Sequence, residues 1–126
     1  MVGSVFQIKF TCPCCGYMVF DGPPGTEEIC PICYWQDDAG SLRWAGIALG
    51  PNRVSLLEAQ GNFSTHEASE ERFKRYVRAP RSDEHLDPTW RSIDLRIDRL
   101  EQPAREGSQT WPDDLESLYY WRKPEQ

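Results

Sequence analysis

Cys12-Pro13-Cys14-Cys15-Gly16 and Cys30-Pro31-Ile32-Cys33 decide how this chain is read. They form two CxxC pairs, Cys12 with Cys15 and Cys30 with Cys33, separated by fourteen residues. Four thiolates at about 2.3 Å from one ion make the tetrahedron that zinc favours, and two close pairs on two tight turns meet that geometry. In such a turn the backbone N–H groups after the first cysteine point at its sulfur. Proline fixes φ on entry, and Gly16 supplies the left-handed conformation on exit. The spacing therefore predicts a structural metal site with Cys12, Cys15, Cys30 and Cys33 as ligands. Zinc is the expected ion, with iron as the alternative, since four thiolates do not choose between the two. Cys14 is surplus. With its neighbours aimed at the metal it should point away, either as a small hydrophobe or as a redox-active or spare thiol.

The flanking sequence expects short strands. Val5-Phe6-Gln7-Ile8-Lys9-Phe10 and Tyr17-Met18-Val19-Phe20 are apolar enough for a ribbon of two hairpins over residues 5–34, with a turn at Asp21-Gly22-Pro23-Pro24-Gly25. Residues 40–53 read as irregular. Ser55-Leu56-Leu57-Glu58 is a capping-box pattern that should start a helix buried through Leu56, Ala59 and Phe63. A second helix is expected from Ser69, with Glu70 and Glu71 at its positive end, Phe73, Tyr76 and Val77 on one face, and Pro80 as its stop. Asp87-Pro88 should cap and open a third, carrying Trp90, Ile93, Ile97 and Leu100 at helical spacing up to Pro103. Arg105 to Thr110 reads as a polar linker, and Leu115, Leu118, Tyr119 and Trp121 as a short last helix. The fold class expected is α+β: a zinc ribbon of short hairpins followed by three or four short helices. It divides into residues 1–82 and an acidic helical extension, residues 83–126, packed on them.

Composition narrows the function. The 126 residues carry a formal charge of −6, with one lysine against five acids in residues 1–40 and seven basic residues against four acids in residues 41–82. Residues 83–126 hold six basic residues against eleven acids. An acidic whole with a basic middle argues against general nucleic-acid or anionic-membrane binding and suits a basic protein partner. No run approaches the ~20 apolar residues of a membrane span, and Met1 to Phe10 lacks the basic-then-apolar form of a signal peptide. A cytoplasmic protein is expected, where paired cysteines more often bind metal than form disulfides.

Catalytic readings find little support. A closed four-thiolate site leaves no position for a substrate. His66 and His85 stand alone and read as surface or cap residues. Trp35-Gln36-Asp37-Asp38 offers paired carboxylates for acid–base work or a hard cation, but Trp35 as cover and the aspartates as turn caps is the simpler use. The run from Arg72 to Arg81 has five positive charges and two aromatics. It could serve phosphate contact and stacking, yet Phe73 and Tyr76 suit a buried helix face and the cations suit pairing with the acidic tail.

The order of these motifs resembles one family. Cys12-Pro13-Cys14-Cys15-Gly16-Tyr17, the Asp21–Gly25 turn, Cys30 to Asp38, the helix start around Ser55 and the run from Glu71 to Pro80 are similar to bacterial cysteine-rich CPCC proteins over about residues 10–82. The resemblance implies a small zinc-ribbon-like protein with Cys12, Cys15, Cys30 and Cys33 as ligands, and it brings no reaction with it. Gln36 stands where an acidic residue is more usual.

No enzyme is expected. The first reading is a zinc-stabilised protein-binding module, in its most concrete form an immunity- or antitoxin-type protein that covers a toxin. A zinc-ribbon accessory factor of a nucleic-acid machine and a thiol redox protein are the alternatives. For the module, Trp111, Asp113, Asp114, Glu116, Tyr120 and Trp121 are the expected partner-binding residues, aromatic anchors among acids.

Overall fold

A computed structural model describes residues 8–104 and 109–123. Two strands pair antiparallel, β1 (Phe10–Thr11) and β2 (Met18–Phe20), with Phe10 opposite Phe20 and Thr11 opposite Met18. That register leaves Val19 as an extra residue, a bulge between the two pairs. Ile8 and Lys9, expected in the first strand, lie outside it. Val5, Phe6 and Gln7 lie outside the described residues. The second hairpin is reduced to one bridge, Ile29 opposite Gln36.

Both turns between these pairs are built alike. The Cys12 N–H donates to the Tyr17 carbonyl at 2.8 Å and the Gly16 N–H to the Cys12 carbonyl at 2.7 Å. In the second turn the Cys30 N–H donates to Trp35 at 2.9 Å and the Tyr34 N–H to Cys30 at 2.8 Å. Each turn is therefore a knuckle whose fifth residue is left-handed, Gly16 at φ +85 and Tyr34 at φ +72.

Helix α1 (Ala39–Arg43) occupies part of the stretch expected to be irregular. Asp38 makes it possible: its carboxylate accepts from the Ser41 N–H at 2.9 Å, so an orphan donor of the first turn is satisfied. Helix α2 (Leu56–His66) starts at the expected cap, where the Ser55 hydroxyl accepts from the Glu58 N–H at 3.0 Å. Leu56 and Ala59 are buried and Phe63 packs partly against them, as the spacing required.

The later helices differ from expectation. From Ser69 the chain forms only a 3-10 turn, Glu71–Tyr76, none of whose residues is buried. Ser69 does not cap it; its own N–H donates to the Cys33 carbonyl at 2.7 Å. The helix expected from Asp87 does not form. Asp87 is buried and its carboxylate accepts from the Thr11 hydroxyl (2.7 Å), the Thr89 N–H (2.8 Å) and the Thr89 hydroxyl (2.7 Å). The Ile93 N–H is taken by the Gln60 side chain at 2.8 Å. Side chains thus compete with the helical bonds of this segment. Residues 85–87 lie instead beside β2, with the Met18 N–H donating to His85 and the Asp87 N–H to Gly16. Trp90, Ile93 and Leu100 pack partly on the core while Ile97 is half exposed. Of the expected linker, residues 105–108 lie outside the described part. The last element is two 3-10 turns, Leu115–Leu118 and Tyr120–Arg122.

The core unites the knuckles with the two helices and the C-terminal turns. Trp35, Phe20, Ile32, Leu56 and Tyr119 are among its fully buried side chains. The result is an α+β fold with little regular structure.

Candidate metal centre

The two knuckles face each other and bring Cys12, Cys15, Cys30 and Cys33 together, with all four Sγ atoms within 4.8 Å of one another. The Cys12 and Cys33 sulfurs are 3.6 Å apart and those of Cys15 and Cys30 3.8 Å apart. All five cysteines are free, and these separations are far beyond the ~2.05 Å of a disulfide. A tetrahedron with ~2.3 Å metal–sulfur bonds has edges of about 3.8 Å, so the donor set fits a four-coordinate thiophilic ion. The Ile32 N–H donates to the Cys30 sulfur at 3.4 Å, a contact that tempers thiolate charge.

Electrostatics agree with geometry. Burial pushes the Cys12, Cys15 and Cys33 thiols well above their ordinary range. Burial acts the same way on Cys30, but hydrogen bonds from the three other thiols and a backbone N–H outweigh it and hold Cys30 well below. A dication supplies the positive charge that four buried thiolates need.

Cys14 is not one of the four, and at 1% exposure it is core. Trp35 is wholly buried in the same cluster as the cysteines. The adjoining carboxylates are both engaged in holding backbone. Asp37 accepts from the Thr26 N–H at 3.1 Å and hydroxyl at 2.7 Å, and burial raises its pKa. Asp38 caps α1.

Several positioning residues have no sequence motif. Gln60 is buried on α2, where its amide donates to the Pro13 carbonyl and to the Tyr120 hydroxyl, both at 2.9 Å, and its oxygen receives the Ile93 N–H. The Trp90 indole N–H reaches the same Pro13 carbonyl at 3.1 Å. Asn52 pairs with both backbone groups of Gln36, at 3.1 and 2.9 Å, and so stands in for a strand beside the second knuckle. A polar residue one place from buried Ala59 was the only signal for Gln60; Asn52 gave none.

The residues expected to meet a partner are divided. Trp121 is buried and stacks on Tyr119, with ring centroids 4.5 Å apart. The Tyr120 hydroxyl donates to the Arg91 carbonyl at 2.5 Å. Trp121 thus belongs to the core, and Tyr120 packs partly against it. Glu116 pairs with Arg122. Trp111, Asp113 and Asp114 remain exposed, Trp111 packing edge-on against Trp44 at 5.3 Å. The basic run is partly spent as well: Arg72 pairs with Glu70, and Arg78 with Glu84, whose carboxyl the guanidinium holds down at about 2. His66 ends α2, and His85 contributes its carbonyl to the sheet edge.

Among the described residues no helix is long and apolar enough to cross a membrane. No curated protein and no solved structure matches the chain. The family model described as cysteine-rich CPCC matches residues 10–84, more than half of the sequence, and the chain belongs to that family.

Proposed function

We propose that this chain is a non-enzymatic protein-binding module whose N-terminal half is a zinc ribbon and whose fold depends on the metal. The observation that carries this reading is the cage of four buried sulfurs at the edge lengths of a tetrahedral site. A closed set of four protein ligands holds a structural ion and offers no open position for chemistry. Zinc is the ion we assign, and iron in the same cage is the rival that elemental analysis separates. The paired aspartates after the second knuckle are engaged in turn and cap bonds, which supports a role without catalysis.

The most concrete form of this reading is a cytoplasmic immunity- or antitoxin-type protein that neutralises a toxin. Its support is the charge of −6 and the exposed Trp111, Asp113 and Asp114, which suit a basic partner. A thiol redox role is disfavoured because none of the five sulfurs is more than 2% exposed, which denies access to an exchanging thiol. A nucleic-acid role is weakened by the internal pairing of Arg72 and Arg78.

The test is capture from the native cell with the full zinc-loaded chain, beside a variant carrying Trp111→Ala, Asp113→Ala and Asp114→Ala. A stoichiometric protein partner that resists nuclease treatment is the expected result, with the triple variant weakening it. Capture that disappears with nuclease, or disulfide-reductase activity of the pure chain, would overturn the reading.

A further inference from the structure

The two knuckles superimpose in bonding pattern but differ at their fifth residue. In the first, glycine is obligatory: φ is +85, and a Cβ on Gly16 would lie 2.6 Å from the Trp90 ring. In the second, Tyr34 adopts φ +72, a left-handed conformation that strains an L-residue. What the strained position presents is an aromatic cluster on the surface. The Tyr34 ring lies 4.6 Å from Phe73 and 5.3 Å from Tyr76, the latter stacked at 28°. Tyr76 is 56% exposed, and the 3-10 turn that carries Phe73 and Tyr76 buries none of its residues. This element therefore adds no buried side chain to the core, with Phe73 half-buried and Tyr76 at the surface.

Charge and shape say what would cover it. The Arg72 and Arg75 guanidinium groups lie over the Phe73 and Tyr76 rings, at 4.2 and 5.9 Å. Lys74 and Arg75 are exposed and have no ion-pair partner among the described residues. Lys74 also lines a cleft of about 230 Å³, together with Ile32, Phe63 and Val77 and with the polar His66, Glu67 and Arg78. Glu67 and Glu71 are exposed acids of the same stretch, so the local surface has both signs, with Arg75 over the Tyr76 ring and Lys74 at the cleft. Phosphate binding favours a positive patch or stripe without acids, whereas a cleft with apolar walls near the exposed Tyr76 and free cations suits an apolar side chain flanked by carboxylates.

We propose that the Tyr34–Phe73–Tyr76 cluster and the adjoining cleft form a docking face for an acidic segment of a partner protein, one that inserts an apolar side chain beside Ile32 and places carboxylates on Lys74 and Arg75. This rests on the reading of the chain as a protein-binding module and shares no residue with the Trp111 patch.

The test titrates the intact, zinc-loaded chain with the acetylated hexapeptide Asp-Glu-Phe-Leu-Glu-Asp, its lysine-for-acid counterpart, and oligothymidylate, followed by amide NMR shifts. Saturable shifts confined to residues 32–34 and 63–80 are expected with the acidic peptide, at a dissociation constant of roughly a millimolar or below. The double variant Lys74→Glu/Arg75→Glu should weaken this by about tenfold and let the basic peptide bind. Tyr76→Ala should weaken the acidic peptide while keeping zinc content and melting temperature unchanged. No saturable shift at this face, equal binding of both peptides, or tighter binding of oligothymidylate would overturn the proposal. Should Tyr76→Ala still capture the native partner at full strength, this face is excluded while the module reading stands.

Discussion

Gly16 and Gly61 show how position decides what a glycine is worth. Gly16 needs both its positive φ and its missing Cβ, since Trp90 and Leu86 atoms would lie within 3 Å of one. Gly16→Ala should therefore cost about 3 kcal/mol or more, strain and clash together, read as a fall in the denaturation midpoint. Gly61 sits in α2 with nothing within 4 Å of a Cβ. Gly61→Ala should stabilise the chain by up to about 1 kcal/mol, the difference in helix propensity. Asp87 carries an electrostatic prediction. Burial alone would raise its pKa, but hydrogen bonds from Thr89 and Thr11 and the charge of Arg122 hold it at about 2. The folded value lies below the unfolded one, so the stabilisation is present above about pH 4 and is lost as pH falls toward 2. Asp87→Asn should destabilise the protein by on the order of 2 kcal/mol, constant between pH 5 and 8 in parallel denaturant titrations. A gap that varied across that range would contradict the assignment.

At the level of elements, α2 is the part whose start, cap and apolar buried residues could be read from residue order. Ser55→Ala should cost about 1 kcal/mol by removing the hydroxyl that accepts from Glu58, seen as a lower midpoint with an unchanged slope. The knuckles were equally legible, because proline and paired cysteines leave few conformations open. The stretch after Asp87 was not. Trp90, Ile93, Ile97 and Leu100 do recur at helical spacing, yet Thr11, Thr89 and Gln60 offer bonds to that segment that no local pattern reveals. Short strands were lost for a related reason: one bridge beside a cysteine knuckle suffices where Asn52 completes the pairing. Gln60 tests this view. Gln60→Leu leaves the Pro13 carbonyl with the Trp90 bond alone and strands the Ile93 N–H, so it should cost about 1–3 kcal/mol despite adding apolar surface.

Across the whole molecule, residues near the C-terminus complete a core that begins at the cysteines. Leu118, Tyr119 and Trp121 share one cluster with Cys12, Cys15, Cys30 and Cys33. That explains why an acidic, aromatic tail read as a contact surface turns most of its rings inward. It also means that chelation of an ion in this cage should be felt beyond the two knuckles, on the scale of the ~10–16 kcal/mol that structural zinc contributes in small zinc peptides. The decisive measurement is the metal content of the purified chain by native mass spectrometry, for the wild type and five single variants. The predicted result is one zinc per wild-type chain, its loss with unfolding in Cys12→Ser, Cys15→Ser, Cys30→Ser and Cys33→Ser, and its retention in Cys14→Ala. A wild-type chain that is folded without metal, or a Cys14→Ala chain as damaged as the other four, would contradict it.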